Sequence, residues 1–434
     1  MFNRDQMGTS IFSRVTCFLL LAGIGSPSGI VIRGVSGQKT GSSADVIIIG
    51  AGMAGVTAAR ELQDRGLTSI VLEARDRVGG RMYSVNTTHG PVDTGAMWIH
   101  DGQEGNPLYD FAVESREPLS RLHDYTSVST YTPDGSTVPL LENIEGFAAL
   151  ESLQVSIQEL QDAHKVDPSV PDVSLYDTYE RFLNNSATPE SLIPMTNLLI
   201  HITAQLLLNG NLTDLSTLRY GDAKTLPAVD VYLLNGFDAL VKIQTPGLDI
   251  RLEMPVRSVV QTDSGVTVTT TSGENFTGAY VLSTEPLGCL KQKTITYDPP
   301  LPQSNQVAIE QMGMGTLDKA ILVFNQSYWS DTDFTTETMD DLSGLWKTYL
   351  NYDAVMQRPV LVALNAANTA RNLEKMTNEE IKSSVMDALR VIYPEIPDPI
   401  EFYATRWFED PWSRGSYSYY AVGNKKNISS QLSN

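Results

Sequence analysis

The first apolar cluster has no alternation: Val46-Ile47-Ile48-Ile49 is short, β-branched and uninterrupted, the pattern of a strand buried on both faces. Val56 to Arg65 follows with good helix formers and no proline, and Ser69-Ile70-Val71-Leu72 is a second strand. Helical periodicity then dominates from about 121 to 220, most clearly over Ile144 to Ala163 and Leu192 to Leu208. Strand signals return at Asp249 to Met254 and Val256 to Val260. They continue as a hairpin, Val266 to Thr270 and Ala279 to Ser283, around a turn at Ser272-Gly273-Glu274. Beyond 291 the chain mixes strands at Lys319 to Phe324 and Val360 to Asn365 with a helix from Asn378 to Ile392. This order predicts an α/β chain that weaves between two domains, without an internal repeat or low-complexity stretch.

The join between the first strand and helix carries the first chemistry, Gly50-Ala51-Gly52-Met53-Ala54-Gly55. Gly50 permits a tight turn, Gly52 lets the backbone approach a diphosphate, and Gly55 lets helix and strand pack closely. The helix N-terminus adds free N–H groups and a positive dipole end. The second strand ends at Glu73, about twenty residues on, where a carboxylate can accept hydrogen bonds from ribose hydroxyls. The next stretch, Ala74-Arg75-Asp76-Arg77-Val78-Gly79-Gly80-Arg81, sets two or three guanidinium groups beside the same phosphates, and the planar fork of arginine suits them.

Composition narrows the partners. With 434 residues, 41% hydrophobic and 8% aromatic, the chain can build two substantial cores. A net charge of −20 argues against nucleic acid and anionic membrane surfaces and favours small cationic molecules. Cys17 and Cys289 make neither a disulfide framework nor a metal site, and the five histidines are scattered. Arg4 and Arg14 precede Val15 to Ile24, an apolar stretch of signal-peptide length that is too short to span a membrane. Residues 1–37 are therefore expected to be a secretory leader, with no stable membrane insertion. Sequons at Asn86, Asn184, Asn211, Asn275, Asn325 and Asn427 are compatible with secretion and glycosylation.

From Glu73 to Arg81 the chain resembles the flavin-dependent amine oxidase family, in which an E-A-R-x-R-x-G-G-R stretch contacts FAD. Further stretches resemble the family in its order: Asp93 to His100, Leu234 to Phe237, Val281 to Leu290, Lys319, and Trp407 to Tyr417. The resemblance covers about residues 44 to 434 and implies a Rossmann-like FAD-binding domain interleaved with an α+β substrate-binding domain. The FAD-binding segments would be 44–120, 221–290 and an incomplete 401–434; the substrate-binding segments would be 121–220, which is helical, and 291–400, which is mixed.

The resemblance also implies roles. Gly50, Gly52, Gly55, Glu73, Arg75, Arg81, Gly95, Ala96, Met97, Trp98, Val256 and Trp407 would hold FAD, with Val256 contacting the adenine through its backbone. Lys319 would reach through a water towards the reactive flavin nitrogen; the pattern alone leaves its head either buried or in water. Tyr417 would wall the amine, and His100 would bind it or tune its protonation. Ser416 stands where animal monoamine oxidases carry the cysteine bonded to flavin, so FAD is expected to be non-covalent.

Amine and O2 would be the partners. His100 and Gly105-Asn106-Pro107-Leu108 resemble polyamine-oxidising members of the family, and with the acidic balance this implies polyamines. The alternatives are a monoamine oxidase, an L-amino-acid oxidase using Arg219 or Arg406 for a carboxylate, or a non-catalytic relative. In the family, a further strand and helix that contact the flavin follow the region matching Val422 to Asn434, so a truncated chain that fails to retain FAD is also an expectation.

Overall fold

The computed structural model describes residues 41–123, 127–186, 188–222 and 230–432. The leader expected over 1–37 lies outside them. The described residues divide into two compact units, those within 41–83, 238–310 and 427–432, and those within 84–237 and 311–426.

The first unit is built on a seven-stranded sheet. Its centre is Ser43–Ile49, parallel to Ser69–Leu72 on one side and Asn275–Ser283 on the other, with Asp249–Arg251 parallel beyond Ser69–Leu72. An antiparallel meander of Val256–Thr262, Gly265–Thr270 and Asn275–Ser283 completes it, with Thr296–Asp298 at the far edge. The uninterrupted apolar run now has its cause. Ile47 and Ile49 pack with Ile70, Leu72 and Val268 on one face, while Val46 and Ile48 pack with Val56, Ala59 and Val71 on the other. Period-two alternation with both faces buried demands apolar residues at every position. The strand expected to reach Met254 stops at Arg251, because Glu253 takes φ +56° and the Glu253 and Met254 N–H groups turn to the carbonyls of Arg75 and Glu73.

The second unit holds a six-stranded sheet in the order Glu401–Ala404, Leu317–Val323, Val360–Ala366, Thr348–Asn351, Phe334–Glu337, Val128–Tyr131. Ile321, Val323, Val362 and Leu364 pack with Val92, Met97 and Tyr232 on one face. Ala320, Leu322, Leu361 and Ala363 pack on the other against Ile381, Val385, Met386 and Leu389 of the helix Asn378–Ile392. That helix starts on a capping box between Thr377 and Glu380.

Residues 84–120 and 401–426, expected with the nucleotide-binding segments, group with this second unit. Val92 and Met97 lie in its core, and Glu401–Ala404 is an edge strand of its sheet.

The helical part comprises Leu140–Val166, Leu175–Asn185 and Ile193–Ile200 around Leu153, Tyr179, Leu198 and Ala204. The single helix expected over Leu192 to Leu208 is instead a 3₁₀ turn, an α-helix and a π-helical segment, His201–Leu206. Thr203 Oγ1 donates into the ladder at the Leu199 carbonyl, and Tyr417 Oη caps the Leu206 carbonyl near the end of the run at 3.0 Å. No helix among the described residues is long and apolar enough to cross a membrane.

Candidate active site

In the first unit the glycine turn has the geometry its residues require. Gly50 has φ +98°, a conformation that side chains resist. At Gly55 a Cβ would stand 2.0 Å from the Gly50 carbonyl oxygen, so helix and strand meet there backbone to backbone. Around Gly52 the nearest atom to such a Cβ is the Gly79 oxygen, at 4.0 Å, which leaves the turn open. Gly52 is also the N-cap of the helix Met53–Asp64, and its first turn contains no acidic residue. With no side chain capping them, those N–H groups are available to an anion.

Glu73 is buried beneath the turn, with Oε2 accepting from the Ala51 N–H at 2.7 Å and Oε1 from the Arg75 N–H at 2.9 Å. A carboxylate has about four lone-pair positions, so it can fix the turn and still accept from ribose hydroxyls. The basic loop is stitched on by the Gly79 N–H, which donates to the Ala51 carbonyl at 2.9 Å. Burial lowers the pKa of the Arg81 guanidinium, the like charge of Arg75 lowers it further, and Cys289 opposes both.

Arg77 has contacts within its own loop. It donates to the carbonyls of Val78 and Gly80 and lies 3.8 Å over the Tyr83 ring. Val256 opens its strand at an irregularity opposite Thr270, with its side chain in the core. An open glycine turn and an uncapped helix N-terminus, with Arg75 and Arg81 on the loop stitched to that turn, fit a dinucleotide diphosphate.

In the second unit Lys319 sits within the strand Leu317–Val323 with only 3% of its surface exposed. Its Nζ donates to the Asp93 carbonyl at 2.9 Å and the Gly95 carbonyl at 2.6 Å. Burial pushes its pKa down to about 8, against an opposing pull from the Asp93 carboxylate. The head is therefore inside, and of the two arrangements its sequence pattern allowed, the structure has the costly one. The neighbouring carbonyl, Thr94, accepts from Trp407 Nε1 at 3.2 Å. Met97 is in the core and Ala96 is exposed, while the Trp98 ring lies 6.0 Å from that of His100 and 6.0 Å from that of Tyr232.

His100 is exposed, but its Nδ1 is held by both oxygens of the buried Asp230, at 3.0 and 2.9 Å. That hydrogen bond raises the imidazole pKa, partly offset by desolvation. Tyr417 is half-buried and anchored through its hydroxyl on the π-helical Leu206 carbonyl, and burial raises its phenol pKa. Ser416 Oγ accepts from the Leu317 N–H at 2.8 Å.

Lys319, Trp407 and the segment 93–95 are thus joined by direct hydrogen bonds. His100 and Trp98 form a neighbouring pair of rings. Asp230, Asp318 and Glu374 were missed by the sequence reading. A lone Asp at a strand start or beside a lysine is an ordinary surface pattern until burial distinguishes it.

Comparison with known proteins follows the same lines. The profile of the family described as flavin containing amine oxidoreductase matches residues 53–431. The chain is 30% identical over 403 residues to polyamine oxidase 2 of Arabidopsis thaliana, covering 90% of this chain and 81% of that one. It is 27% identical over 392 residues to human lysine-specific histone demethylase 2, covering 87% of this chain and 47% of that one. Among solved structures, a wild-type putrescine oxidase bound to putrescine shares the fold with a TM-score of 0.71 at 20% identity, covering 89% of this chain and 90% of that chain.

Proposed function

The chain belongs to the flavin containing amine oxidoreductase family, and from that premise we propose that it is a polyamine oxidase with non-covalent FAD that releases hydrogen peroxide. The observation that carries the reading is the buried Lys319, its Nζ held on the carbonyls of Asp93 and Gly95 with Trp407 tied to the Thr94 carbonyl between them. The substrate class is supported by the similarity to a plant polyamine oxidase over nine-tenths of the chain and by the negative net charge.

Bound FAD would take up the hydride equivalent from the carbon beside the amine nitrogen and return electrons to O2, leaving an imine that hydrolyses to aldehyde and amine. The residues of this chain bind, orient and manage protons. Gly50, Gly52, Gly55, the helix N-terminus, Arg75 and Arg81 would hold the diphosphate, and Glu73 the ribose. Lys319, part of which is neutral near pH 8, can give or take a proton through a water. His100 donates from Nδ1 to Asp230, which leaves Nε2 free to accept from a substrate ammonium and help present the amine uncharged. Tyr417, Trp98 and Trp407 supply aromatic faces that exclude water and attract cationic nitrogen. Ser416 offers no thiol for a bond to flavin.

The test is an absorption spectrum of the purified chain before and after anaerobic addition of spermine, followed by a peroxide assay with spermine, a monoamine and an L-amino acid. Flavin bands that bleach with spermine are expected. Bleaching only with the other two would overturn the substrate class, and an absence of flavin bands would refute FAD retention by this chain.

A further inference from the structure

Beside Lys319 lies a feature that the amine chemistry does not use. Asp318 and Glu374 are both buried, 4% and 6% exposed, and between them they hold three consecutive backbone N–H groups. Asp318 Oδ1 accepts from the Trp407 N–H at 3.1 Å and from Thr405 Oγ1 at 2.7 Å. Glu374 Oε1 and Oε2 accept from the N–H groups of Phe408 at 2.8 Å and Glu409 at 2.7 Å. The other oxygen, Asp318 Oδ2, is buried without a hydrogen-bond donor. The nearby cations are turned elsewhere: Arg406 donates to the carbonyls of Glu374 and Met376, Arg371 to Thr316 Oγ1 and the Met314 carbonyl, and Lys319 Nζ to Asp93 and Gly95.

We propose that Asp318 and Glu374 are positioning residues, a carboxyl pair sharing one proton that fixes the loop bearing Trp407 against the strand bearing Lys319; this rests on the reading that those two residues serve the flavin chemistry. The proton sits on Asp318 Oδ2 and is donated to Glu374, which supplies the partner Oδ2 otherwise lacks. Glu374 keeps the negative charge, spread over two N–H groups that stabilise it. Two adjoining buried carboxylates cannot both ionise. In line with this, burial and the neighbouring Glu374 hold Asp318 well above the usual carboxylate range, with Thr405 and the Trp407 N–H opposing.

The consequence reaches the site through short links. Thr405 is bonded to Asp318 by its hydroxyl and to Lys319 in both directions, taking the Lys319 N–H on Oγ1 at 2.8 Å and donating its own N–H to the Lys319 carbonyl at 3.0 Å. Trp407, held by its N–H, reaches the Thr94 carbonyl between the two carbonyls that receive Lys319. The pair therefore sets where the indole and the lysine stand relative to each other.

Two substitutions separate this arrangement from ordinary packing. Asn at 318 keeps an acceptor for the Trp407 N–H and a donor towards Glu374, whereas Gln at 374 replaces one acceptor with an NH2 facing a backbone N–H. Infrared difference spectra of wild type minus Asp318→Asn at about pH 9 should show the carbonyl stretch of a protonated carboxylic acid. Glu285, whose pKa burial pushes up to about 7, is ionised there and does not mask the band. Absence of the band in wild type, or its survival in Asp318→Asn, overturns the proposal. Glu374→Gln should slow anaerobic flavin reduction about tenfold more than Asp318→Asn does and shift tryptophan emission; the reverse order overturns it. If wild type oxidises no amine, the proposed function fails while the infrared band still decides the carboxyl pair. If Glu374→Gln does not fold, the Asp318→Asn spectrum decides alone.

Discussion

Replacing Lys319 by Met tests the buried ammonium through stability as well as rate. The side chain is almost fully enclosed, and burial lowers its pKa from 10.5 to about 8. The sign follows from linkage: between those two values the unfolded chain still binds a proton that the folded chain has released, so the lysine makes the fold more stable as pH rises. Its contribution is fully present above the unfolded pKa and is lost as pH falls through the folded one. The shift corresponds to about 3 kcal/mol in full, of which about 2.5 kcal/mol develops between about pH 7 and about pH 10.

Urea unfolding of wild type and Lys319→Met at a series of pH values isolates the lysine, because every other group titrates in both proteins. The stability difference, wild type minus variant, should rise by about 2.5 kcal/mol over that range. Parallel curves would refute the buried, depressed lysine. In stopped-flow experiments the same variant should retain FAD but slow flavin reduction or reoxidation; unchanged rates in both half-reactions would remove Lys319 from the chemistry.

Further outcomes are expected elsewhere. Gly55→Ala places a Cβ against the Gly50 carbonyl and should cost about 1–3 kcal/mol or more, read as a lower melting temperature with loss of retained flavin. Glu73→Ala strips acceptors from the N–H groups of Ala51 and Arg75, so the fold should lose about 1–3 kcal/mol and FAD affinity should fall in a titration followed by flavin fluorescence. Asp230→Asn should bring the His100 pKa down towards the ordinary histidine value in an NMR titration. Because Asp230 raises that pKa, its stabilisation is fully present below the unfolded value and is lost as pH rises through the folded one. The difference in unfolding midpoint between wild type and Asp230→Asn should therefore narrow with rising pH, and a constant gap would refute the ion pair.

What the sequence determined by itself is local. Val46 to Ile49 had to be a strand covered on both faces, Gly50 to Gly55 a turn open to a diphosphate, and Asn378 to Ile392 a helix, because side-chain period, φ and capping are settled by residues close along the chain. The seven-stranded and six-stranded sheets were less legible, since each joins strands far apart in sequence, such as Ser43–Ile49 with Asn275–Ser283. The early end of the strand at Arg251 came from partners at Glu73 and Arg75, and the helical run that ends before Asn209 has its Leu206 carbonyl capped by the Tyr417 hydroxyl.

Charge shows the division most clearly. In sequence Lys319, Asp318, Asp230 and Glu374 are ordinary polar residues with nothing to set them apart from a solvated surface. Only the tertiary structure buried them and chose their neighbours: carbonyls for the lysine, a histidine for Asp230, and one carboxyl for another. Desolvation and the nearness of charges decide where a proton rests, and both are properties of the packed chain that residue order does not carry.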